Sequence, residues 1–88
     1  MGDQGLNIRF SKHGEDQMKR RNISKMLVFN VLKHPDRVIR DESEIWIYQK
    51  KVNENGVIYL YRVFINPLKE PTLVITTYKT SKVNKYED

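Results

Sequence analysis

The stretch VIYLYRVFI (57–65) constrains this chain more than any other. Side chains of a β-strand alternate between two faces, and here both alternating rows are apolar. Val57, Tyr59, Tyr61, Val63 and Ile65 form one row; Ile58, Leu60 and Phe64 form the other, interrupted only by Arg62. A strand that is apolar on both sides belongs in the middle of a sheet. Its neighbours are EIWIYQKKV (44–52), reached through the hairpin turn NENG, and TLVITTYK (72–79), reached through NPLKEP (66–71). Their β-branched and aromatic residues make the second half of the chain a β-meander.

Upstream, LNIRF (6–10) alternates and reads as a short first strand. Ser11 is placed to cap a helix running to about Arg21. Met18 is the only large apolar residue within that helix, so it leans on the core by a narrow stripe. His13, Gln17, Arg20 and Arg21 are left for solvent or a ligand. Ser24 is a second cap, and Leu27, Val28, Val31 and Leu32 then recur at helical spacing, which predicts a helix packed on the sheet. Pro35 ends it by pushing His34 out of helical geometry, with room for a short extended piece at Val38 and Ile39. The expected fold is α+β: a short N-terminal strand and two helices on one face of a mainly antiparallel sheet of three to four strands. Residues 1–88 are expected to form a single domain.

Arg62 is the anomaly. A guanidinium among Ile58, Leu60 and Phe64 must reach water, a carboxylate such as Glu44 or Asp41, or a ligand, because an unpaired buried charge is very costly. A planar fork of donors suits a phosphate. The whole chain carries 16 Lys and Arg against 11 Asp and Glu, a formal charge of +5, which draws it to polyanions or simply keeps it soluble. There is no cysteine to form disulfides or thiolate metal sites, which fits a cytoplasmic protein. No apolar run approaches the roughly 20 residues needed to span a bilayer, and MGDQGLNIRF lacks the centre of a signal peptide. No membrane association is expected. Gly2 raises N-myristoylation, but Asn7 stands where that signal favours Ser or Thr.

Strong chemical motifs are absent. His13 and His34 lie on different elements without a second ligand at helical spacing, and no cofactor or metal is expected. His34, at a helix C-terminus, reads as a cap. There is no GxSxG turn and no phosphate-cradling glycine loop. What remains is a basic, aromatic-interleaved set: His13, Arg20 and Arg21 on the first helix, Arg62 on the central strand, and Tyr78, Lys79, Thr80, Ser81, Lys82, Lys85 and Tyr86 at the close. Such sets suit single-stranded nucleic acid, whose bases stack on rings while cations track phosphates. They can also cleave RNA without a metal, given a base, an acid and positive charge around the phosphate. A solvated terminus explains the closing lysines equally well.

RFSKHGEDQMKRRNIS (9–24), VLKHPDRVI (31–39), YRVFI (61–65) and VITTYKTSKVNKYE (74–87) together resemble a family of small uncharacterised prokaryotic domains. That family is distantly similar to the RelE/ParE toxin superfamily and, in its closing segment, to the BrnT toxins. The resemblance carries the pattern's His onto His13, its helix Arg onto Arg21 and its strand Arg onto Arg62. Its closing cluster falls on Tyr78, Thr80, Ser81, Lys82 and Tyr86. The chain departs from the pattern at Gln17, often arginine, and at Asn22, often glycine.

The resemblance implies a toxin-like RNA-binding protein acting as a metal-independent mRNA endoribonuclease, with RNA, on or off the ribosome, as its target. In that assignment Arg62 and Lys82 hold the scissile phosphate, His13, Lys85 or Tyr86 handles protons, and Arg20, Arg21, Tyr78, Lys79, Thr80 and Ser81 bind the strand. It also implies an acidic antitoxin as partner, and a second copy of the chain is compatible with it. The rival expectations are a non-catalytic module that binds an antitoxin or gyrase, and an inert relative. Likeness of fold does not choose among them.

Overall fold

The computed structural model describes residues 7–40 and 42–86, the Tyr86 side chain excepted. Along the chain run β1 (Ile8–Phe10), α1 (Lys12–Arg21), α2 (Lys25–Lys33), β2 (Arg37–Arg40), β3 (Trp46–Glu54), β4 (Val57–Asn66) and β5 (Thr72–Thr80), closed by a 3-10 turn at Val83–Tyr86. The strands form one sheet in the order β1-β5-β4-β3-β2. β4 stands in its centre, as its two apolar rows require.

The sheet is larger and less uniform than expected: five strands, mixed in direction, instead of three to four that are mainly antiparallel. The meander β2-β3-β4-β5 is antiparallel throughout. β1 joins the far side of β5 in parallel, Ile8 opposite Thr72 and Phe10 opposite Val74. The extended piece at Val38 and Ile39 becomes a full edge strand, Arg37–Arg40, through its register with Trp46–Gln49. Asn55 and Gly56, both at positive φ, make the tight β3–β4 turn, where glycine tolerates the left-handed geometry without strain.

Both helices begin where their serines predict. Ser11 Oγ accepts the Gly14 N–H at 2.8 Å and Ser24 Oγ accepts the Leu27 N–H at 3.1 Å. α2 ends at His34, whose N–H still reaches the Asn30 carbonyl at 2.9 Å. Val28 and Val31 from α2, Met18 from α1 and Ile23 from the link between them pack on Tyr61, Val63 and Ile65 of β4 and Val74 of β5. All eight are buried and form one core on one face of the sheet.

α1 docks on β5 unusually closely. The Ser11 N–H donates to the Val74 carbonyl at 2.9 Å, and the Ser11 hydroxyl donates to the Ile75 carbonyl at 2.8 Å. A Cβ on Gly14 would lie 3.0 Å from Val74 O and 3.1 Å from Ile75 O, backbone atoms that cannot swing aside. Glycine is needed here for approach; its φ is ordinary. The helix therefore lies along the strand where β1 leaves off, and its polar residues are held beside the sheet.

Candidate functional site

Residues directly opposite each other on neighbouring strands share a face. Tyr48, Val63 and Thr77 are so aligned, and they belong to the face that carries the helical core. One residue on, Gln49, Arg62 and Tyr78 are aligned on the opposite face, and Arg37 of β2 extends the line at Gln49. A polar row, Arg37–Gln49–Arg62–Tyr78, thus crosses four strands on the side away from the core. Beside it runs an apolar row, Ile39–Ile47–Phe64.

Arg62 is not resolved in the way its sequence context suggested. Its Nε donates to Gln49 Oε1 at 2.8 Å, and its guanidinium lies 5.3 Å from the centre of the Phe64 ring. Of the carboxylates expected as partners, Glu44 is exposed ahead of β3, and Asp41 lies outside the described residues. Gln49 is only 4% exposed, so the amide that holds Arg62 is itself held by packing.

α1 repeats this arrangement from the side. Arg21 Nε donates to Gln17 Oε1 at 2.9 Å, one helical turn back, and the Arg21 guanidinium sits 4.9 Å from the centre of the Tyr78 ring. Tyr78 therefore stands between two arginines: one over its ring, one directly across the sheet. The result is an open hollow of about 420 Å³. His13, Gln17 and Arg21 form its helical wall, Arg62 and Phe64 come from β4, and Thr76, Thr77 and Tyr78 come from β5. Its described lining holds two guanidinium groups and an imidazole and no carboxylate. Hollows of similar size at Met18 and Ile23 and at Trp46 and Tyr48 each include one, Glu15 and Glu70 respectively. The hollow beside Tyr78 has the largest excess of positive charge of the three, since Lys19 and Lys25 face Glu15 in the second and the third has Glu70 and no cation in its lining.

Four of the residues singled out in the sequence, His13, Arg21, Arg62 and Tyr78, meet here. Lys79 does not join them. As the next residue along β5 it faces the core side, where its Nζ lies 2.9 Å from Glu54 Oε1 and 4.4 Å from the centre of the Tyr59 ring. The Tyr61 hydroxyl donates to the other Glu54 oxygen. That bond, with the Lys79 ammonium, holds the Glu54 carboxyl below its ordinary value. Lys79 is pushed up, chiefly by its bond to Glu54, and Tyr61 is pushed up, first by burial and then by donating to Glu54. Lys79 is thus a structural cation.

Arg20 is exposed on α1 away from the lining. Thr80 Oγ1 accepts the Lys82 N–H at 3.0 Å and so shapes the turn after β5. Ser81, Lys82 and Lys85 are exposed beyond that strand and stand outside the lining. The Tyr86 side chain lies outside the described residues. Arg21 occupies the place beside Arg62 that the sequence reading gave to Lys82.

Sequence reasoning missed Gln49 and Phe64, and it missed Gln17 as a partner for Arg21. The signal for Gln49 was available. A two-residue turn at Asn55–Gly56 pairs Glu54 with Val57, and counting back along both strands sets Gln49 against Arg62. Thr77 adds an unexpected feature: its Oγ1 is buried with no hydrogen-bond partner among the described residues. Among those residues no group of three or more His, Asp or Glu could hold a metal ion, and no helix is long and apolar enough to cross a membrane.

The family model described as "Domain of unknown function (DUF4258)" matches residues 10–79, and the chain belongs to that family. No curated protein matches the chain, and no solved structure does. The matched segment runs from the end of β1 to Lys79 and so contains every residue that lines the hollow.

Proposed function

We propose that this DUF4258 member is a toxin-like RNA-binding protein whose arginine-lined hollow cleaves RNA without a metal, as in the RelE and BrnT toxins its sequence resembles. One observation carries the reading: two guanidinium groups converge on Tyr78 beside His13 in a hollow whose described lining has no carboxylate. Attack of a ribose 2′-oxygen on the adjacent phosphorus displaces the 5′-oxygen and leaves a 2′,3′-cyclic phosphate. The 2′ proton must be removed, the leaving oxygen must gain one, and the crowded phosphate needs positive charge around it. Arg21 and Arg62 supply that charge. His13, exposed on the helical wall, takes the first proton or returns the second. Lys82 and Lys85 continue the positive surface past the end of β5, where they track the strand.

The test is cleavage of a labelled single-stranded RNA in the presence of EDTA, with products checked for the cyclic phosphate. Losing both arginines, in Arg21→Ala with Arg62→Ala, is expected to slow cleavage by about 10²–10³. Equal rates for the two proteins would overturn the assignment.

A second reading rests on the neighbouring row. Ile39, Ile47 and Phe64 give the same face an apolar band beside its arginines, which suits an acidic protein partner such as an antitoxin. A stable complex with such a partner, formed by a protein that leaves RNA intact, would favour this second reading over the first.

A further inference from the structure

The sheet ends at β2, and no strand lies beyond it among the described residues. An edge strand of this kind presents a row of backbone N–H and C=O groups that can template another strand. Its residues alternate. Val38 stands opposite Tyr48, and Tyr48 opposite Val63, in the row that faces the core; Ile39 begins the Ile47–Phe64 row on the other side. Both are half-buried, and the flanking Arg37 and Arg40 are exposed. Pairing with β3 reaches back past the strand, since the Asp36 N–H donates to the Gln49 carbonyl at 2.7 Å.

Charges on a short edge strand ordinarily deter pairing. Here they choose between registers. Two copies joined border to border about a two-fold axis run antiparallel, and their sheets continue one another only if residues that meet point to the same face. A junction centred between Val38 and Ile39 fails this condition, and it also sets Arg37 against Arg40. A junction centred on Val38 satisfies it. Val38 meets Val38 of the second copy, so Val63, Tyr48 and Val38 of one molecule run on into the same three residues of the other as one apolar row. Asp36 falls opposite Arg40, twice by symmetry. Centring on Ile39 instead sets Asp36 against Glu42, which are like charges.

We propose that the β2 border pairs with the β2 border of a second copy of this chain, in the register centred on Val38, so that two five-stranded sheets become one continuous sheet. Asp36 has room for the new partner. Its carboxylate accepts the Lys51 N–H at 2.8 Å, lies 4.0 Å from Lys50 Nζ and is half exposed, with lone pairs to spare. The Arg40 guanidinium sits 4.6 Å from the centre of the Trp46 ring, and a stacked guanidinium keeps its donors for a carboxylate. The chain's charge of +5 opposes association, but DRVIRDESE (36–44) holds four acids against two arginines, so that excess lies elsewhere. The hollow of each copy, built on α1, β4 and β5, is separated from the junction by β3 and β2, and the pairing does not depend on what the hollow binds.

The experiment is sedimentation equilibrium over a series of concentrations, in which the unaltered protein should show a reversible monomer–dimer mixture. Asp36→Lys places like charges at both ends of the junction, and so does Arg40→Glu. Each variant alone should raise the dimer's dissociation constant about tenfold. Mixed in equal amounts, the two variants restore opposite charges at both positions, so a heterodimer should form with close to the original affinity. Loss of fold cannot imitate that rescue. If a thermal melt shows either variant unfolded, amide exchange at residues 37–40 of the unaltered protein still decides, since it should slow as concentration rises. A monomer at every concentration, as a border kept for a strand of another protein would give, overturns the proposal. So do single variants that dimerise like the unaltered protein, or a mixture that stays monomeric.

Discussion

Tyr78 and Lys79 are neighbours on one strand and belong to different chemical worlds. Lys79 faces the core side, where Glu54 and the rings of Tyr59 and Tyr61 surround it. Tyr78 faces the other side, between two arginines and beside an open hollow. On the first face the polar groups answer one another. On the second, Arg62 and Arg21 each donate from Nε to a glutamine side chain. A sheet two residues wide in its period can thus be structural on one side and available for ligands on the other, and the sides can be disturbed separately.

The sharpest way to separate them is to break the core side. Ile65 is 5% exposed and packs on the valines of α2. Ile65→Ala should cost about 2–5 kcal/mol in urea unfolding. RNA affinity per folded molecule should change little, because the arginines stand on the opposite row. An affinity loss larger than the unfolded fraction explains would show that the two faces are coupled.

A smaller change, of opposite sign, is expected where the faces meet. Thr77 lines the hollow, yet its hydroxyl is buried without a partner among the described residues. Replacing it by the similarly shaped valine removes the desolvation cost of that oxygen, so Thr77→Val should raise stability by about 1 kcal/mol. A stabilised variant that binds RNA as before makes the hydroxyl a packing compromise; a stabilised variant that binds poorly makes it a ligand contact.

The mildest effect concerns pH. Glu54 is held below its ordinary value, so the stability it contributes is present at neutral pH and is lost as the pH falls through its depressed value. Lys79 and Tyr61 are both raised, so what they contribute is present up to their ordinary values and is lost as the pH climbs through the raised ones. Glu54→Gln should flatten stability on both flanks, read as unfolding midpoints across the pH range. A core-side network that also governed the open face would shift RNA affinity in the same variant, and none is expected.

Much of the frame was legible because it depends on local pattern. Two serines capped two helices, Pro35 closed the second, and the doubly apolar run became the central strand. β1 was legible as a strand but not as a parallel partner of β5. Three residues carry too little pattern to choose a neighbour, and contacts far along the chain, such as Ser11 with Val74 and Ile75, make the choice. β2 was only half visible for the same reason. The candidate site was legible as a set of residue types. It was less so as a surface, because a closing segment dense in cations invited all of them onto one wall when alternation sends Lys79 to the other. Gln49 drew no notice and Gln17 only as a surface residue and a departure from the family's pattern, since a neutral amide announces no partnership until its arginine is seen attached.

The seam at Gly14 reaches beyond the hollow it supports. With β1 beside Thr72–Val74 and α1 laid against Val74 and Ile75, this margin of the sheet is already occupied, while the β2 margin has no further strand beyond it among the described residues. Strand-to-strand growth needs two accessible borders. A molecule with a single accessible border can add one copy of itself and must then stop, so the absent methyl group at position 14 also sets a limit on how far such stacking could run.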